Sequence, residues 1–476
     1  MLAAALRFAT LDVQSLSGDE GVTASLLRMS LGDMLSTIPD TESTPPAYYV
    51  LAWAWTRVLG HGEVGMRSLS ALAGTAAVPV VYAAGRALAS RRVGLVAAAL
   101  AAVSPLLVWY SQEARAYSLL VLLGALSVWL AARAVARPDG RPLAAWAACC
   151  ALAVATHYYA GFLVLGEAAW LVASVPGPRR GAALTAVAAV GCAAAALLPL
   201  ALDQRSTGNF TRFVSEAPLS QRVEEVPKKL LLGEQGTPGD YGQPAEALKL
   251  PVAALALLAA VLLLARARGR EPRGGLVAAG LGAAAAGVPL AMAVAGFDYF
   301  AAYLTIAAWV PLAVAAGAGF AAGGRLGLAG AGLLAAAMLV VTISVPAGTA
   351  LRRPDFRAAA EALGHGDGPR LVVATPDNSI APLDAYLGDL DPPPSGGVAV
   401  REVAVLGMRS TDESFRRRPG HDPRTPPAPG FRLVELRETG RFTLVRFRSP
   451  RPQRVEAAAL AGSRLGDGSA AAALQR

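Results

Sequence analysis

Long apolar stretches recur between residues 66 and 346, and short arginine-rich or polar segments separate them. A helix of about 20 apolar residues crosses the core of a bilayer, because lipid offers no partners for open backbone groups. The pattern predicts about ten spans, at residues 66–88, 93–109, 116–136, 143–158, 161–175, 182–202, 250–265, 276–295, 301–323 and 326–345.

Arginines are concentrated in alternate connections between these stretches, and by the positive-inside rule such connections face the cytoplasm. They contain Arg86, Arg91 and Arg92; Arg133, Arg137 and Arg141; Arg179 and Arg180; Arg266, Arg268, Arg270 and Arg273; and Arg325. The remaining connections then face outward: the segment before residue 66, the turns at 110–115, after 157 and at 297–300, the loop 203–249, and everything after 346.

The first 65 residues mix polar and apolar positions. The apolar stretch 1–8 is too short to span a bilayer or to serve as a signal peptide, so we expect a truncated first span whose true start lies upstream. An amphipathic stretch at 22–35 and an aromatic run at 48–55 are typical of helices in the membrane interface. Two surface helices are predicted here.

The residues after 346 show shorter patterns. Asp355 is a candidate N-cap of a helix that ends at Gly364, and residues 370–374 and 398–406 predict strands. A hairpin is predicted at 431–447, whereas the residues from 456 onward have the composition of a disordered tail.

Together these patterns predict an all-α polytopic membrane protein with about ten to eleven transmembrane helices and a small C-terminal extracytoplasmic α/β domain. The predicted domains are 1–65 (truncated span and outer loop), 66–346 (transmembrane helices with the outer loop 203–249), 347–455 (α/β domain) and 456–476 (tail).

Composition supports a membrane protein, because 54% of residues are hydrophobic, 16% are charged and the mean hydropathy is +0.44. The net charge of +9 comes from arginines scattered between apolar stretches rather than from one basic face, so no nucleic-acid partner is predicted. Cys149, Cys150 and Cys192 lie in apolar stretches and are interpreted as packing residues, not as a disulfide or a metal site.

Asp19 and Glu20 form an acidic pair in the first predicted outer segment. A carboxylate there can take the proton of an acceptor hydroxyl as the oxygen attacks a sugar carbon, which makes both residues catalytic candidates. The alternative is helix capping, with Asp19 as N-cap and Glu20 complementing the helix dipole. Two carboxylates without a third ligand leave open a divalent metal ion and do not predict one.

Two further clusters lie in predicted outer turns: Gln112, Glu113, Arg115 and Tyr117; and His157 and Tyr158. Arginine is a natural phosphate partner, and Glu113 can orient it or bind sugar hydroxyls. The alternatives are a solvated or mutually paired Glu113 and Arg115, ordinary interface tyrosines and a structural histidine. Glu167 falls within a span, where an ionisable group is costly, and the sequence names no partner for it.

Five features occur in order: Asp19-Glu20; residues 44–49 (TPPAYY); the span from Arg67 to Arg86; Ser104-Pro105 leading to residues 110–117 (YSQEARAY); and residues 156–158 (THY). This series resembles the GT-C glycosyltransferases, specifically the bacterial relatives of protein O-mannosyltransferases and of lipid A aminoarabinose transferases. The resemblance covers residues 11–166 by motif and the later spans by layout.

The resemblance implies inverting transfer, by a mannosyltransferase-like hexosyl or pentosyl transferase, from a polyprenyl-phosphate-linked sugar donor to a cell-envelope glycan, lipid or protein acceptor. Asp19 would be the base with Glu20 beside it, and Gln112, Glu113, Arg115, Tyr117, His157 and Tyr158 would bind the donor. The site would face outward from the cytoplasmic membrane, among membrane lipids.

Two positions depart from the family pattern. Thr44 stands where relatives often have His, and Ala302 stands where they often have Arg before Tyr303. That Arg would contact the donor phosphate, so a replacement is expected from the long outer loop, with Arg212, Lys228 and Lys229 as candidates. Two alternatives to an enzyme stay open at this point: a transporter or lipid-sugar flippase, and an inactive scaffold relative.

Overall fold

The structure is a computed structural model, and it describes residues 1–207, 214, 217–233, 242–347, 353–408, 422–456, 460, 463, 465 and 469–476. The chain divides into two compact units. The first, here named the membrane unit, comprises Met1–Leu11, Ser30–Glu234 and Gln243–Ser344. The second, named the α/β unit, comprises Asp12–Met29, Gln235–Gly242 and Val345–Arg476, so it takes residues 12–29 out of the segment 1–65 that the sequence predicts as one domain.

The described part of the membrane unit is helical. Its helices are α1 (Leu2–Phe8), α3 (Leu31–Thr41), α4 (Ala47–Leu59), α5 (Glu63–Leu88), α6 (Arg91–Val103), α7 (Pro105–Ser111), α8 (Tyr117–Ala136), α9 (Gly140–Thr156), α10 (Ala160–Ser174), α11 (Gly177–Ala196), α12 (Leu198–Thr207), α13 (Leu219–Leu232), α14 (Gly242–Ala265), α15 (Arg270–Val294), a 3-10 helix (Tyr303–Ala308), α16 (Trp309–Ala322) and α17 (Gly324–Ala347).

Seven helical segments among the described residues are long and apolar enough to cross a bilayer. They are Glu63–Leu88, Tyr117–Ala136, Gly177–Ser206, Pro244–Ala265, Glu271–Val294, Tyr303–Ala322 and Gly324–Ala347. These segments confirm a multi-pass membrane protein, while the predicted number of ten to eleven spans stays a prediction.

Three predicted spans differ from this description. The stretch 93–109 is divided into α6 and α7, which meet at a bend of 56°. The physical reason is local: Pro105 cannot continue the hydrogen-bond ladder, and Ser104 takes an extended conformation and caps α7 through Leu107 N. The stretches 143–158 and 161–175 form α9 and α10, with 17 and 15 residues.

Arg7 of α1 stabilises the bend between α6 and α7. Its guanidinium is fully buried and donates to the carbonyl oxygens of Ala101 and Ala102 at 2.9 and 3.0 Å. Those carbonyls end α6, where the helix dipole favours a cation and Pro105 leaves acceptors unused. The Nε of Arg7 also donates to Ser111 Oγ at 3.1 Å, which links α1 to the end of α7.

Small residues allow the membrane helices to approach closely. A side chain added at Gly319 of α16 would lie 1.9 Å from the Ala259 carbonyl oxygen of α14. At Gly85 of α5, an added Cβ would lie 2.8 Å from Gly94 Cα of α6. Such contacts are expected where helices associate by van der Waals packing and not by exclusion of water.

The α/β unit contains a six-stranded sheet of order β2-β6-β1-β3-β5-β4, in which β1 and β3 are parallel and the other neighbours are antiparallel. Its elements are α2 (Gly18–Arg28), α18 (Phe356–Leu363), β1 (Arg370–Thr375), α19 (Ile380–Leu387), β2 (Leu390–Asp391), β3 (Val398–Met408), β4 (Arg432–Glu438), β5 (Phe442–Val455) and β6 (Ala471–Gln475).

Most predicted elements of the α/β unit are confirmed. Asp355 caps α18 by accepting from Ala358 N at 3.1 Å, and Gly364 ends the helix with a φ of 58°. The strands β1 and β3 and the β4–β5 hairpin occupy the predicted positions. Strand β1 is buried on both faces, because Val372 packs in one core and Leu371 in the other.

Two predictions for this part of the chain are wrong. The predicted disordered tail contains β6, whose short apolar sequence pairs antiparallel with β1. The predicted amphipathic stretch 22–35 is broken into α2 and α3, because Ser30 accepts from Asp33 N and starts a new helix.

Candidate active site

The YSQEARAY motif covers the end of α7, the turn that follows and the first residue of α8, and its side chains make different contacts. The side-chain amide of Gln112 donates to Leu6 O at 3.0 Å and to Thr10 Oγ1 at 2.6 Å. These bonds fasten the turn to the carbonyl end of α1. The structure therefore gives Gln112 an anchoring role, whereas the sequence predicts donor binding for it.

Arg115 is buried and forms a bidentate ion pair. Its two terminal nitrogens donate to the carboxylate oxygens of Glu42 at 2.7 and 2.9 Å, and its guanidinium lies 5.9 Å from the Tyr49 ring centroid. Ser70 of α5 donates to the Arg115 carbonyl at 3.2 Å. Fork-to-fork geometry of this kind is the strong form of the arginine–carboxylate interaction. The guanidinium is thus held by the end of α3 and by α4, and the backbone of Arg115 is bound to α5.

Glu42 was not among the predicted site residues. The sequence names Glu113 as the residue that can orient Arg115, because the two are close in sequence. In the structure Glu113 is buried, and its carbonyl accepts from Arg115 N at 2.8 Å. A carboxylate that pairs with the Arg115 side chain comes from the end of α3, 73 residues earlier in the chain. Its position just before the Thr44-Pro45-Pro46 motif was the sequence signal that could have predicted Glu42 as a site residue.

Aromatic rings gather around Tyr117, the first residue of α8. The Tyr117 ring lies 4.5 Å from Tyr110, 5.7 Å from His157 and 6.0 Å from Tyr303, measured between centroids. Tyr110 and Tyr117 come from the YSQEARAY motif, His157 comes from the THY motif, and Tyr303 comes from the start of the 3-10 helix. The structure thus brings together three segments that are far apart in the sequence.

His157 ends α9 and is 2% exposed. Its Nδ1 accepts from Tyr159 N at 3.2 Å, so hydrogen bonding assigns the proton of the neutral ring to Nε2. Nε2 is buried and has no hydrogen-bond partner within the part of the chain that the structure describes. The charge of Arg115 also acts on this ring. A buried donor without an acceptor is costly, which makes it a candidate ligand contact.

Tyr158 begins a hydrogen-bonded series that leads to the Arg115 pair. Its hydroxyl donates to Gln204 Oε1 at 2.8 Å, and Gln204 Nε2 donates to Thr44 O at 3.1 Å. Thr44 Oγ1 lies 3.2 Å from the Tyr49 hydroxyl, which also hydrogen-bonds with Glu42. The sequence did not predict Gln204, because this residue lies at the start of the predicted outer loop 203–249, in which no motif is present.

The loop cation that reaches the segment before Tyr303 is Arg222 of α13. Arg222 donates to both carboxylate oxygens of Asp298, at 2.7 and 2.5 Å, and to Phe300 O at 2.7 Å. These hydrogen bonds lower the pKa of Asp298 below its usual value. Neither predicted lysine takes this position: Lys228 is exposed, and Lys229 pairs with Glu225 at 3.7 Å. Arg212 lies outside the described residues.

Glu167 lies within α10 and is fully buried. Ser127 Oγ of α8 and Trp146 Nε1 of α9 each donate to its carboxylate at 2.8 Å. The structure supplies the partners that the sequence could not name, and they tie three helices together. Glu167 is therefore a structural junction within the membrane unit.

In the α/β unit, Asp19 and Glu20 have opposite environments. Glu20 is fully buried, and its Oε2 accepts from Ser17 N at 3.0 Å and from Arg353 Nη1 at 2.8 Å. Ser17, not Asp19, is the N-cap of α2, and it forms a capping box with Glu20. Asp19 is exposed, and its carboxylate has no hydrogen bond or ion pair with any residue that the structure describes. Of the two carboxylates, the Asp19 carboxylate is the one that remains open to a reactant.

Among the described residues, no group of three or more His, Cys, Asp or Glu side chains is arranged to hold a metal ion. The carboxylate of Glu20 is engaged by Ser17 and Arg353. The residues described above offer buried cations, aromatic rings and the exposed carboxylate of Asp19.

Comparison with known proteins connects these features to a family. Residues 43–202 match the family model described as dolichyl-phosphate-mannose-protein mannosyltransferase. This range contains the turns of Arg115 and His157. No curated protein sequence matches the chain.

Solved structures of membrane-protein relatives are similar to this chain to different degrees. Arabinofuranosyltransferase AftD from Mycobacteria matches with a TM-score of 0.52 at 16% identity, over 99% of this chain and 39% of AftD. ArnT from Cupriavidus metallidurans, in the apo state, gives 0.43 at 16% identity over 93% and 95% of the two chains. The Archaeoglobus fulgidus oligosaccharyltransferase gives 0.46 at 12% identity over 85% and 66%. Residues 43–202 are thus similar to the dolichyl-phosphate-mannose-protein mannosyltransferase family, and the fold of the chain is similar to that of arabinofuranosyltransferase AftD.

Proposed function

We propose that this protein transfers a sugar from a polyprenyl-phosphate carrier to an acceptor on the outer face of the cytoplasmic membrane, with inversion at the anomeric carbon. The observation that carries the proposal is the Nε2–H of His157, which is buried beside the Tyr117 ring and has no hydrogen-bond partner among the described residues. A buried donor of this kind is suited to an acceptor oxygen of a ligand.

The chemistry around this donor fits a sugar phosphate. Arg115 presents a buried guanidinium in the same part of the membrane unit, and guanidinium geometry matches phosphate oxygens. The rings of Tyr110, Tyr117 and Tyr303 supply an aromatic wall against which a sugar face or the first isoprene unit can pack. The matched family is itself described by a polyprenyl-phosphate-linked sugar, dolichyl-phosphate-mannose.

The location of this cluster suits a lipid-linked donor. Tyr117 begins α8, and Ser70 lies near the start of α5, whereas Arg133 and Arg86 lie in the last turns of the same helices. The positive-inside rule assigns the arginine ends to the cytoplasm, so the cluster belongs to the outer ends. A donor anchored in the bilayer by its isoprenoid chain can enter such a site laterally.

Asp19 is the proposed base. Its carboxylate takes the proton of the acceptor hydroxyl while the acceptor oxygen attacks the anomeric carbon. The bond from that carbon to the phosphate oxygen breaks, and its electron pair leaves with the polyprenyl phosphate. Attack from the face opposite the phosphate inverts the configuration. Glu20, held by Ser17 and Arg353, fixes the start of α2 and so positions its neighbour.

The test is transfer of radiolabelled sugar into membrane material from a panel of hexosyl and pentosyl polyprenyl-phosphate donors. Asp19→Asn removes the base and keeps the size of the side chain, so we expect the rate to fall by about 10²- to 10⁴-fold. Asp12→Asn is the matched control, because Asp12 is another exposed carboxylate of the same unit, and it should transfer at the wild-type rate.

Three outcomes separate the alternatives. Transfer by wild type and by Asp12→Asn, with loss in Asp19→Asn alone, supports the proposal. Equal transfer by all forms removes Asp19 as the base. Absence of transfer from every donor, in a protein of normal expression, favours a transporter or an inactive scaffold.

A further inference from the structure

Glu42 occupies the place on Arg115 that an anionic ligand would take. Two carboxylate oxygens face the two terminal guanidinium nitrogens at 2.7 and 2.9 Å, as two phosphate oxygens would. The side chains are 9% and 3% exposed, so water screens the pair weakly. The guanidinium charge is therefore neutralised from within the protein before any ligand arrives.

Glu42 can release Arg115 without losing all of its hydrogen bonds. It lies on the connection after α3, whereas Arg115 lies in the turn before α8, so the two backbones are independent. The hydroxyl of the fully buried Tyr49 also bonds with Glu42, and Thr44 Oγ1 lies within hydrogen-bond distance of that hydroxyl. A displaced Glu42 carboxylate would thus keep a buried donor.

We propose that Glu42 is an internal anion that competes with polyprenyl phosphate for Arg115 and so sets the affinity of the site for its lipid-linked substrate and product. This inference rests on the proposed function, in which Arg115 binds phosphate. A ligand must replace one bidentate bond with another, which holds its affinity down and lets the phosphate product leave after transfer.

The experiment measures the dissociation constant of a short-chain polyprenyl phosphate for the full chain in detergent. Glu42→Gln removes the competing charge and leaves Arg115 uncompensated, so binding should tighten by about tenfold or more. Glu42→Gln combined with Arg115→Gln should show no gain over Arg115→Gln alone. Glu224→Gln, which removes a charge from the exposed surface of α13, is the control and should bind as wild type.

Glu42→Asp provides the second variant if Glu42→Gln does not fold. Its carboxylate is shorter by one methylene and cannot keep the bidentate distances, so binding should tighten by a smaller factor. Unchanged or weaker binding in a folded Glu42 variant would overturn the proposal and make Glu42 a residue that only holds Arg115 in place. Tightening for inorganic phosphate without tightening for the lipid would also overturn it.

The failure of this inference can be told from failure of the proposed function. A wild type that transfers sugar, with Glu42 variants that bind no tighter, contradicts the competition alone. A wild type that neither binds polyprenyl phosphate nor transfers sugar contradicts both.

Discussion

Two short polar segments contain the candidate site residues, and they differ in the burial and pairing of their charged side chains. In the turn before α8, Glu113 and Arg115 are both buried, and the Arg115 charge is paired with Glu42. At the start of α2 in the α/β unit, Glu20 is likewise buried and paired, with Arg353. Its neighbour Asp19, however, is exposed and unpaired among the described residues.

The difference matches two chemical tasks. Binding a phosphate requires a cation that is held rigidly and sheltered from water, because screening weakens the interaction. Taking a proton from an acceptor requires a carboxylate that the acceptor can reach. The membrane unit therefore carries the features of a binding site, and the start of α2 carries those of a base. The following predictions test this division.

The largest expected effect is that of Arg115→Gln. It removes the cation that is proposed to bind the donor phosphate, so donor binding should weaken by about 2–5 kcal/mol. It also leaves Glu42 buried without its partner, which should lower the free energy of unfolding by about 3–5 kcal/mol. Donor titration and thermal melting measure the two losses, with Arg57→Gln on the exposed face of α4 as the control. Wild-type donor affinity in a folded Arg115→Gln protein would contradict the assignment.

Gly21→Ala should disturb the base without touching a charge. A Cβ at Gly21 of α2 would lie 2.3 Å from Pro382 N of α19, so α2 has to move. We expect reduced transfer with unchanged donor affinity, and a loss of stability of about 1–3 kcal/mol. Gly32→Ala in α3 is the control, because an added Cβ there meets no atom within 4 Å, and it should be neutral or stabilising. Equal behaviour of the two variants would count against the dependence on α2.

His157→Gln should weaken donor recognition more than turnover. Its Nε2–H is proposed to donate to the donor, and a lost hydrogen bond to a charged group costs about 1.5–3 kcal/mol. The KM for the donor should therefore rise by about tenfold or more, with a smaller change in kcat. His61→Gln serves as the comparison, since His61 pairs with the exposed Arg57. A fall in kcat at constant KM would instead give His157 a role in the chemical step.

The smallest effect concerns the stability of the α/β unit in acid. Burial of Glu402 acts to raise its pKa, but hydrogen bonds from Arg370 and Arg448 outweigh burial and hold the pKa below the usual value. Because the pKa is lower in the folded state, the stabilisation is present above the usual glutamate pKa of about 4.3 and is lost as the pH falls through the folded pKa.

Hydrogen exchange of the β1 and β3 backbone amides in the full chain follows this loss. In the wild type, the protection of these amides from exchange should fall as the pH is lowered below 5. The fall should correspond to the loss of stability that follows from protonating one carboxylate. Glu402→Gln should have less protection at neutral pH and a flatter pH dependence. The same steepness in both proteins would show that other carboxylates control the acid response.

Local sequence patterns predicted much of the fold and several residues of the candidate site, but not the partners of those residues. The apolar stretches predicted a multi-pass membrane protein, whereas the number of spans stays a prediction. The Asp355 cap and the β4–β5 hairpin were predicted because their determinants lie within a few residues. The partner of Arg115 and the loop cation Arg222 were not found. Arg115 pairs with Glu42, and Arg222 pairs with Asp298, and in both pairs the residues are more than 70 positions apart in the sequence. Such contacts depend on how the helices pack.

The adjacent pair Asp19-Glu20 shows the same limit at short range. The sequence marked both as acidic residues at the start of a helix. The capping box of Ser17 and Glu20 is a local pattern that distinguishes the two carboxylates. The ion pair of Glu20 with Arg353, by contrast, joins residues more than 300 positions apart, so the local sequence does not predict it.

The most direct test of the division between binding and proton transfer measures donor binding and single-turnover sugar transfer in parallel, for Asp19→Asn and Arg115→Gln. The account predicts that Asp19→Asn binds donor as wild type does and transfers at least about 10²-fold more slowly. Arg115→Gln should lose donor binding first and transfer only as a consequence. Weak donor binding in Asp19→Asn, or wild-type donor affinity in Arg115→Gln, would contradict the account.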